Sequence, residues 1–167
     1  NIAIGLASGY SNTTGSDNTA IGTHAAIALT TGLNNTAVGA GAVGGTNPFA
    51  PLTGNSNSGV GSFTLTNVTS GADNTGIGDG SCGIIDTGSN NICIGSASNV
   101  SAANATGRVA IGKGITNSID NTVSIGTNAV TLLQLSPTAP TVSGCTAAAI
   151  VAGSSMQAGR VSNTPTG

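Results

Sequence analysis

The sequence predicts an all-β protein, most of it a parallel β-solenoid or flattened β-roll of about seven coils with roughly 17 residues in each. Three observations predict this class: a short word ending in Gly recurs at nearly constant spacing, turn-forming residues separate the words, and large apolar side chains are scarce. Repeats shorter than a helical hairpin, without Leu-rich lines, are typical of β-solenoids. We therefore expect no helix in residues 1–126.

The recurring word predicts one short strand in each coil. The residue before its final Gly is Ile or Val, and the residue two positions earlier is Ile, Thr, Ser or Val. Because side chains alternate across a strand, these two columns share one face. The column between them holds only small residues, so we expect the second face to approach another backbone closely and both faces to be packed. The final glycines are 17, 17, 22, 17, 17, 17 and 14 residues apart: Gly5, Gly22, Gly39, Gly61, Gly78, Gly95, Gly112 and Gly126.

Gly and Asn mark the corner that precedes each word. Five asparagines each follow a glycine by three residues, and we expect them to stack about 4.8 Å apart. Their amides can bond along the axis as a ladder, although five independent turn-forming asparagines would explain the pattern equally. A weaker apolar segment, such as Leu65 to Val68, is interpreted as the second strand of each coil. The asparagines are Asn18, Asn35, Asn57, Asn74 and Asn91.

The charge content argues against several classes of function. Charged residues make up 5 % of the chain, and the cations Arg108, Lys113 and Arg160 form no basic patch, so nucleic-acid binding is not supported. The longest apolar stretch, Ala147 to Ala152, is too short to cross a bilayer, so we expect no membrane insertion in this segment. The chain begins inside a repeat, and we interpret its N-terminus as a cut or processed end.

The cysteines indicate neither a zinc site nor a disulfide framework. Cys82, Cys93 and Cys145 are an odd number and have no CxxC spacing. Cys82 and Cys93 fall in adjacent coils but in different columns of the repeat. We interpret them as small buried thiols in preference to a bridge.

The end of the repeat predicts three regions. The β-solenoid array covers residues 1–130. Residues 131–140 are a linker or neck, because Ser136-Pro-Thr-Ala-Pro140 interrupts any regular element. Residues 141–167 have short β-like runs without the repeated word and are interpreted as a small β appendage, whose remainder would lie beyond residue 167.

Candidate catalytic and cofactor-binding residues each have a simpler structural interpretation. The run Gly39-Ala-Gly41-Ala-Val-Gly44 matches a dinucleotide fingerprint, but no acidic residue follows at about 20 positions and Pro48 prevents a helix. Asp17 and Asp73 lie three coils apart, roughly 14 Å, too far for a glycosidase pair. His24 has no nucleophile in a recognisable arrangement. We therefore predict no enzyme activity, no catalytic residues, no cofactor and no metal site.

One coil is five residues longer than its neighbours. The glycines Gly39 and Gly61 are 22 residues apart, and the words on both sides keep their pattern, so Val43 to Leu52 should leave the stack as a loop. Prolines inside it cannot donate ladder hydrogen bonds. Functional residues concentrate on loops held by rigid scaffolds, so we name Asn47 and Phe49 as surface-contact candidates. The alternative is that Phe49 packs against a neighbouring chain.

The words also resemble a known family. Val109-Ala-Ile-Gly112 and Val123-Ser-Ile-Gly126 resemble the YadA-like head repeat of trimeric autotransporter adhesins. Asn34-Asn-Thr-Ala-Val-Gly39 is similar to the longer repeats of many phage tail-fibre proteins, and Pro140 to Arg160 looks like a module near the C-termini of phage fibre proteins. The repeat resemblance covers residues 1–130 and implies a left-handed parallel β-roll in an intertwined or side-by-side homotrimer.

The resemblance implies a structural or adhesive function. We expect a tail-fibre-like shaft on a virion surface, outside the cell, that presents a host-recognition surface to a cell-surface receptor. The alternative is the head of a bacterial trimeric autotransporter adhesin on the bacterial outer surface. Thin coils bury little apolar area, and this also favours close assembly with further copies of the chain. Ice binding would need Thr-x-Thr on every coil, and within the repeat array Thr64-Leu-Thr66 stands alone.

Overall fold

A computed structural model describes residues 1–44 and 50–126, and these ranges contain ten β-strands and no helix. In chain order the strands are β1 (Ile2–Ile4), β2 (Thr19–Ile21), β3 (Thr36–Val38), β4 (Ser58–Val60), β5 (Thr75–Ile77), β6 (Ile92–Ile94), β7 (Asn99–Val100), β8 (Val109–Ile111), β9 (Thr116–Asn117) and β10 (Val123–Ile125). All strands except β7 and β9 form one parallel sheet, in chain order, and β7 pairs with β9. The described chain is therefore a β-solenoid of about seven turns.

Each repeated word pairs with the next word in register. Ala20 of β2 pairs with Ala37 of β3, and Ala37 pairs with Gly59 of β4 across the longer coil. The prediction of parallel stacked coils is confirmed. We number the coils by their first residue, from coil 1 to coil 7: Asn1, Asn18, Asn35, Asn57, Asn74, Asn91 and Arg108.

The small central residue of each strand points into the roll. Ala20, Ala37 and Ala110 are at most 2 % exposed. A Cβ added to Gly59 would lie 2.6 Å from Val43 Cγ2, on the opposite side of the roll. The close approach predicted for this column is therefore to the other side of the same roll.

The prediction that both strand faces are packed is wrong for the single chain. Ile77 and Ile94, which precede the word-final glycines, are 44 % and 36 % exposed. The physical reason is the thinness of the roll: side chains from the opposite side, such as Leu65, already fill its interior, so this sheet turns only its small column inwards and its large Ile and Val side chains point outwards.

The word-final glycines stack directly on one another. Gly22 has φ of +133°, and an added Cβ would lie 2.6 Å from the carbonyl oxygen of Gly39 in the next coil. No other residue fits, because both the backbone conformation and the contact exclude a side chain. The glycine therefore sets the corner at which each strand ends.

The predicted asparagine ladder is confirmed. Asn35 N donates to Asn18 Oδ1 at 2.8 Å, and Asn35 Nδ2 donates to the Gly54 carbonyl at 2.9 Å. The same bonds recur from coil to coil up to Asn91, and the side chains involved are at most 3 % exposed from Asn18 onward. The ladder satisfies buried backbone groups at every corner, where the sheet provides no partner.

The second side of each coil is a strand only in part. It contains β7, β9 and the isolated bridge Leu29↔Leu52, and the remainder is mostly turns; the other isolated bridge, Ser89↔Thr106, lies in the corner before the repeated word. Residues with positive φ, such as Val43 and Leu65 at 51° and 50°, bend the chain there and prevent a continuous ladder. Of the apolar residues predicted for this side, Leu29, Leu65, Val68 and Ile85 are at most 1 % exposed and form the core, whereas Ile84 is 46 % exposed. The prediction that Val43 to Leu52 leaves the stack is wrong at both ends, because Val43 and Leu52 are fully buried and Leu52 pairs with Leu29.

Cys82 and Cys93 form a disulfide, with Cα atoms 5.5 Å apart. The interpretation of two separate buried thiols is therefore wrong, although both residues are fully buried. They do belong to different columns, but these columns face each other across the narrow roll. Two cysteines therefore need not share a column along the axis to form a bridge, because this bond crosses the interior of the roll.

Several sequence predictions fall on residues outside the described ranges. These are the contact candidates Asn47 and Phe49, the linker or neck at 131–140, the appendage at 141–167, and Cys145.

Candidate interaction surface

The outer face of the eight-stranded sheet carries nine of the 15 exposed large apolar side chains of the described chain. It consists of the two outward columns of the repeated word, which we call the sheet face. Nine of its large apolar side chains are at least 36 % exposed, and the most exposed, Val123, reaches 63 %. The nine are Ile2, Ile4, Ile21, Val60, Ile77, Ile92, Ile94, Val123 and Ile125.

The sheet face contains no charged residue. The column before the glycines is Ile or Val in every coil, whereas the other column is Thr or Ser in the middle coils and apolar at both ends. The hydroxyl-bearing members are half-buried and lie between apolar neighbours; they are Thr19, Thr36, Ser58 and Thr75. An uncharged, regular surface of this kind is suited to packing against a similar surface.

The carboxylates lie away from the sheet face or at its corners. Asp17 and Asp73 are exposed and have φ of 60° and 56°, which confirms their interpretation as solvated corner residues. His24 is likewise an exposed corner residue. Within residues 1–44 and 50–126, no three His, Cys, Asp or Glu side chains come together in a group that could hold a metal ion.

Arg108 takes the place of asparagine at the last corner of the ladder. Its backbone N–H donates to Asn91 Oδ1, and its guanidinium bonds Asp120 Oδ1 at 2.5 Å and Ser101 Oγ at 3.0 Å. Arg108 is 6 % exposed. The backbone N–H of Thr106 and the Arg108 guanidinium hold the pKa of Asp120 below its ordinary value. At pH values above the ordinary pKa of an aspartate, this ion pair stabilises the shorter final coil.

The Gly-rich run after β3 packs against the next coil. Residues 39–44 form turns, and no helix follows within the described ranges. Gly41 lies under the ring of Phe63, since an added Cβ would be 2.8 Å from Phe63 Cδ1. The run therefore serves the packing between coils 3 and 4.

A cavity of about 360 Å³ opens at the base of the longer coil. Its walls include Gly44 and Ala50, the described residues on either side of the segment that carries Asn47 and Phe49. Thr69 Oγ1 donates a short hydrogen bond to Asp86 Oδ1 in the same wall. The carboxylate of Asp86 is therefore already hydrogen-bonded within the chain.

The described part of the chain contains no helix with the length and apolarity needed to span a bilayer. Sequence reasoning missed both the exposure of the sheet face and the disulfide. The exposure of the sheet face could have been predicted from the column that is Ile or Val in every coil, because a thin roll cannot enclose so many large side chains. Comparison with protein-family models, curated proteins and solved structures finds no match to this chain.

Proposed function

We propose that this chain is a structural segment of a homotrimeric fibre, outside the cell, in which the sheet faces of three copies pack around a common axis. The observation that carries the proposal is the uncharged sheet face, on which nine Ile and Val side chains are exposed and Val38, Val109 and Ile111 are half-buried. A soluble monomer rarely leaves a continuous apolar surface uncovered. A second copy of the same chain presents the same repeat and the same register.

The free energy available for this assembly can be estimated from the exposed side chains. The combined exposure of the nine is that of about four fully exposed Ile or Val side chains. At about 2 kcal/mol for each, their burial would provide on the order of 8 kcal/mol per chain. This free energy is comparable with the entropic cost of associating two molecules. Stable assembly therefore requires burial of the whole sheet face.

The trimeric state and the left-handed coil are proposed from the resemblance to YadA-like head repeats. Closed cyclic symmetry lets three identical faces meet at one axis, while the turns point outwards. The outward corners are then mostly Asn, Ser, Thr and Gly, which suits an inert shaft. Under this proposal the longer coil of a virion tail-fibre-like shaft would project Asn47 and Phe49 towards a host receptor.

The mass of the assembly and one charge substitution test the proposal. We expect sedimentation equilibrium to give three times the 15.7 kDa mass of the chain. Ile77→Lys would place a charge in the middle of the sheet face and should reduce the mass to that of one chain. Ser70→Lys is the matched control, because Ser70 is exposed in a turn outside the sheet face. A wild-type monomer at micromolar concentration, or dissociation by both variants alike, would show the proposal to be wrong.

A further inference from the structure

The disulfide joins the two sides of the roll between successive coils. Cys82 lies in the turns of coil 5, and Cys93 is the central residue of β6 in coil 6. Their sequence separation is 11, and the closed segment contains the ladder residue Asn91. Both cysteines are 0 % exposed. The bond therefore holds a whole corner of the solenoid against the preceding coil.

The junction between coils 5 and 6 lacks a hydrogen bond that joins the two preceding coils. Thr64 and Ser81 share a 2.8 Å hydroxyl hydrogen bond in the two preceding coils. Ser98, the equivalent residue of coil 6, is fully buried, and its Oγ makes no hydrogen bond in the described part of the chain. The position of Leu65 is taken by Cys82 one coil later, and that of Gly76, which faces Leu65, by Cys93. An unsatisfied buried hydroxyl destabilises a core.

We propose that Cys82 and Cys93 form a redox latch that closes this weak junction. In the dithiol form, one thiolate attacks a small-molecule disulfide and releases one thiol. The second thiolate then displaces the other thiol, so that a dithiol and one disulfide become the protein disulfide and two thiols. The latch is independent of the assembly proposed above, because a single chain contains all of its parts.

Burial determines when the latch can be set. A mixed disulfide requires space beside the attacked sulfur, and neither cysteine has solvent contact in the folded roll. Oxidation therefore occurs while coil 6 is open, before it stacks on coil 5. For the same reason, the finished bond is protected from reductants until the junction opens.

The latch should suppress local opening. Closing a loop with a sequence separation of 11 removes chain entropy that corresponds to about a 100-fold lower population of the open segment. We therefore expect backbone amides of residues 83–92 to exchange hydrogen about 100-fold more slowly in the oxidised chain than in the reduced chain.

The experiment uses the full chain with Cys145→Ala, so that only one pair of cysteines remains. Refolding with oxidised and reduced glutathione should give a mass lower by two hydrogens, and a water-soluble phosphine should reduce the bond only when denaturant is added. The matched control combines Cys82→Ala with Cys93→Ala, which reproduces the alanines at Ala26 and Ala37 in coils 2 and 3. Its amides at 83–92 should exchange at the rate of the reduced chain.

Three results would each overturn the proposal. One is a refolded protein in which both cysteines still react with an alkylating reagent. Another is reduction by the phosphine without denaturant as fast as with it. The last is equal hydrogen exchange at residues 83–92 in the oxidised chain, the reduced chain and the double-alanine control.

Discussion

Truncating one rung of the asparagine ladder tests what holds the corners of the coils together. Asn57 is fully buried in the middle of the ladder. Its Nδ2 donates to Asn35 Oδ1 at 3.2 Å and to the Gly71 carbonyl at 2.8 Å. Its Oδ1 accepts from the backbone N–H of Asn74 at 3.2 Å and from Asn74 Nδ2 at 3.0 Å. Asn57→Ala removes all four bonds and leaves the backbone otherwise intact.

The expected loss follows from the groups left without a partner. The Gly71 carbonyl and the Asn74 backbone N–H lose the bonds that Asn57 supplies, whereas Asn74 Nδ2 still donates to the Gly88 carbonyl. Each buried backbone group without a partner costs about 1–3 kcal/mol. We therefore expect Asn57→Ala to lower the free energy of unfolding by about 4 kcal/mol.

Asn55→Ala is the control from the same corner. Asn55 is exposed, and its Oδ1 accepts one bond, from the backbone N–H of Leu33 at 2.7 Å. We expect a loss below about 1 kcal/mol, because water can replace this bond. Both variants are measured by urea unfolding with far-UV circular dichroism at one protein concentration, so that association affects them equally. Losses within 1 kcal/mol of each other would refute the argument that the buried ladder stabilises the corners.

Three further predictions concern other parts of the chain. Gly59→Ala should cost about 1–3 kcal/mol in urea unfolding because its Cβ would meet Val43, and adding Val43→Ala should recover most of that loss. Asp120→Asn should lower the melting temperature at neutral pH and weaken the pH dependence of stability below pH 4. The folded-state pKa of Asp120 is lowered, so its contribution to stability is complete above the unfolded-state pKa and disappears as the pH falls through the folded-state pKa. An unchanged acid profile would contradict this. Phe49→Ala should leave melting unchanged and remove binding to cells that the wild type binds; a clear fall in melting temperature with binding intact would show that Phe49 packs instead.

The sequence predicts the repeated strand, its register and the ladder because each depends on a local rule. The Gly at the end of the word is required by a positive φ and by contact with the next glycine, so its spacing gives the coil length directly. Asn35 and Asn57 stack because the repeated words that they begin pair in register, even though 22 residues separate the two asparagines. The longer coil keeps its neighbours in register for the same reason.

The direction in which each strand face points is not a local property. Alternation shows that Ala37 and Val38 lie on opposite faces, but it does not show which face is inside. Which face points inwards depends on the thickness of the roll. That thickness is set by how closely the second side of each coil approaches the sheet. The turns with positive φ at Val43 and Leu65 bring that side close, and their conformation is uncommon for bulky residues. Hydrophobicity alone would place Ile and Val inside, which is the opposite of the observed arrangement.

Residues across the roll compensate for one another in volume. Val43 faces Gly59, and Leu65 faces Gly76, whose added Cβ would lie 3.2 Å from Leu65 Cγ. In coils without the insertion the facing residues are 11 positions apart, which is also the separation of Cys82 and Cys93. The large residues Val43 and Leu65 each have a glycine opposite, whereas Cys82 faces Cys93 as a bonded pair. This relation across the interior, rather than the column along the axis, places the two cysteines within bonding distance.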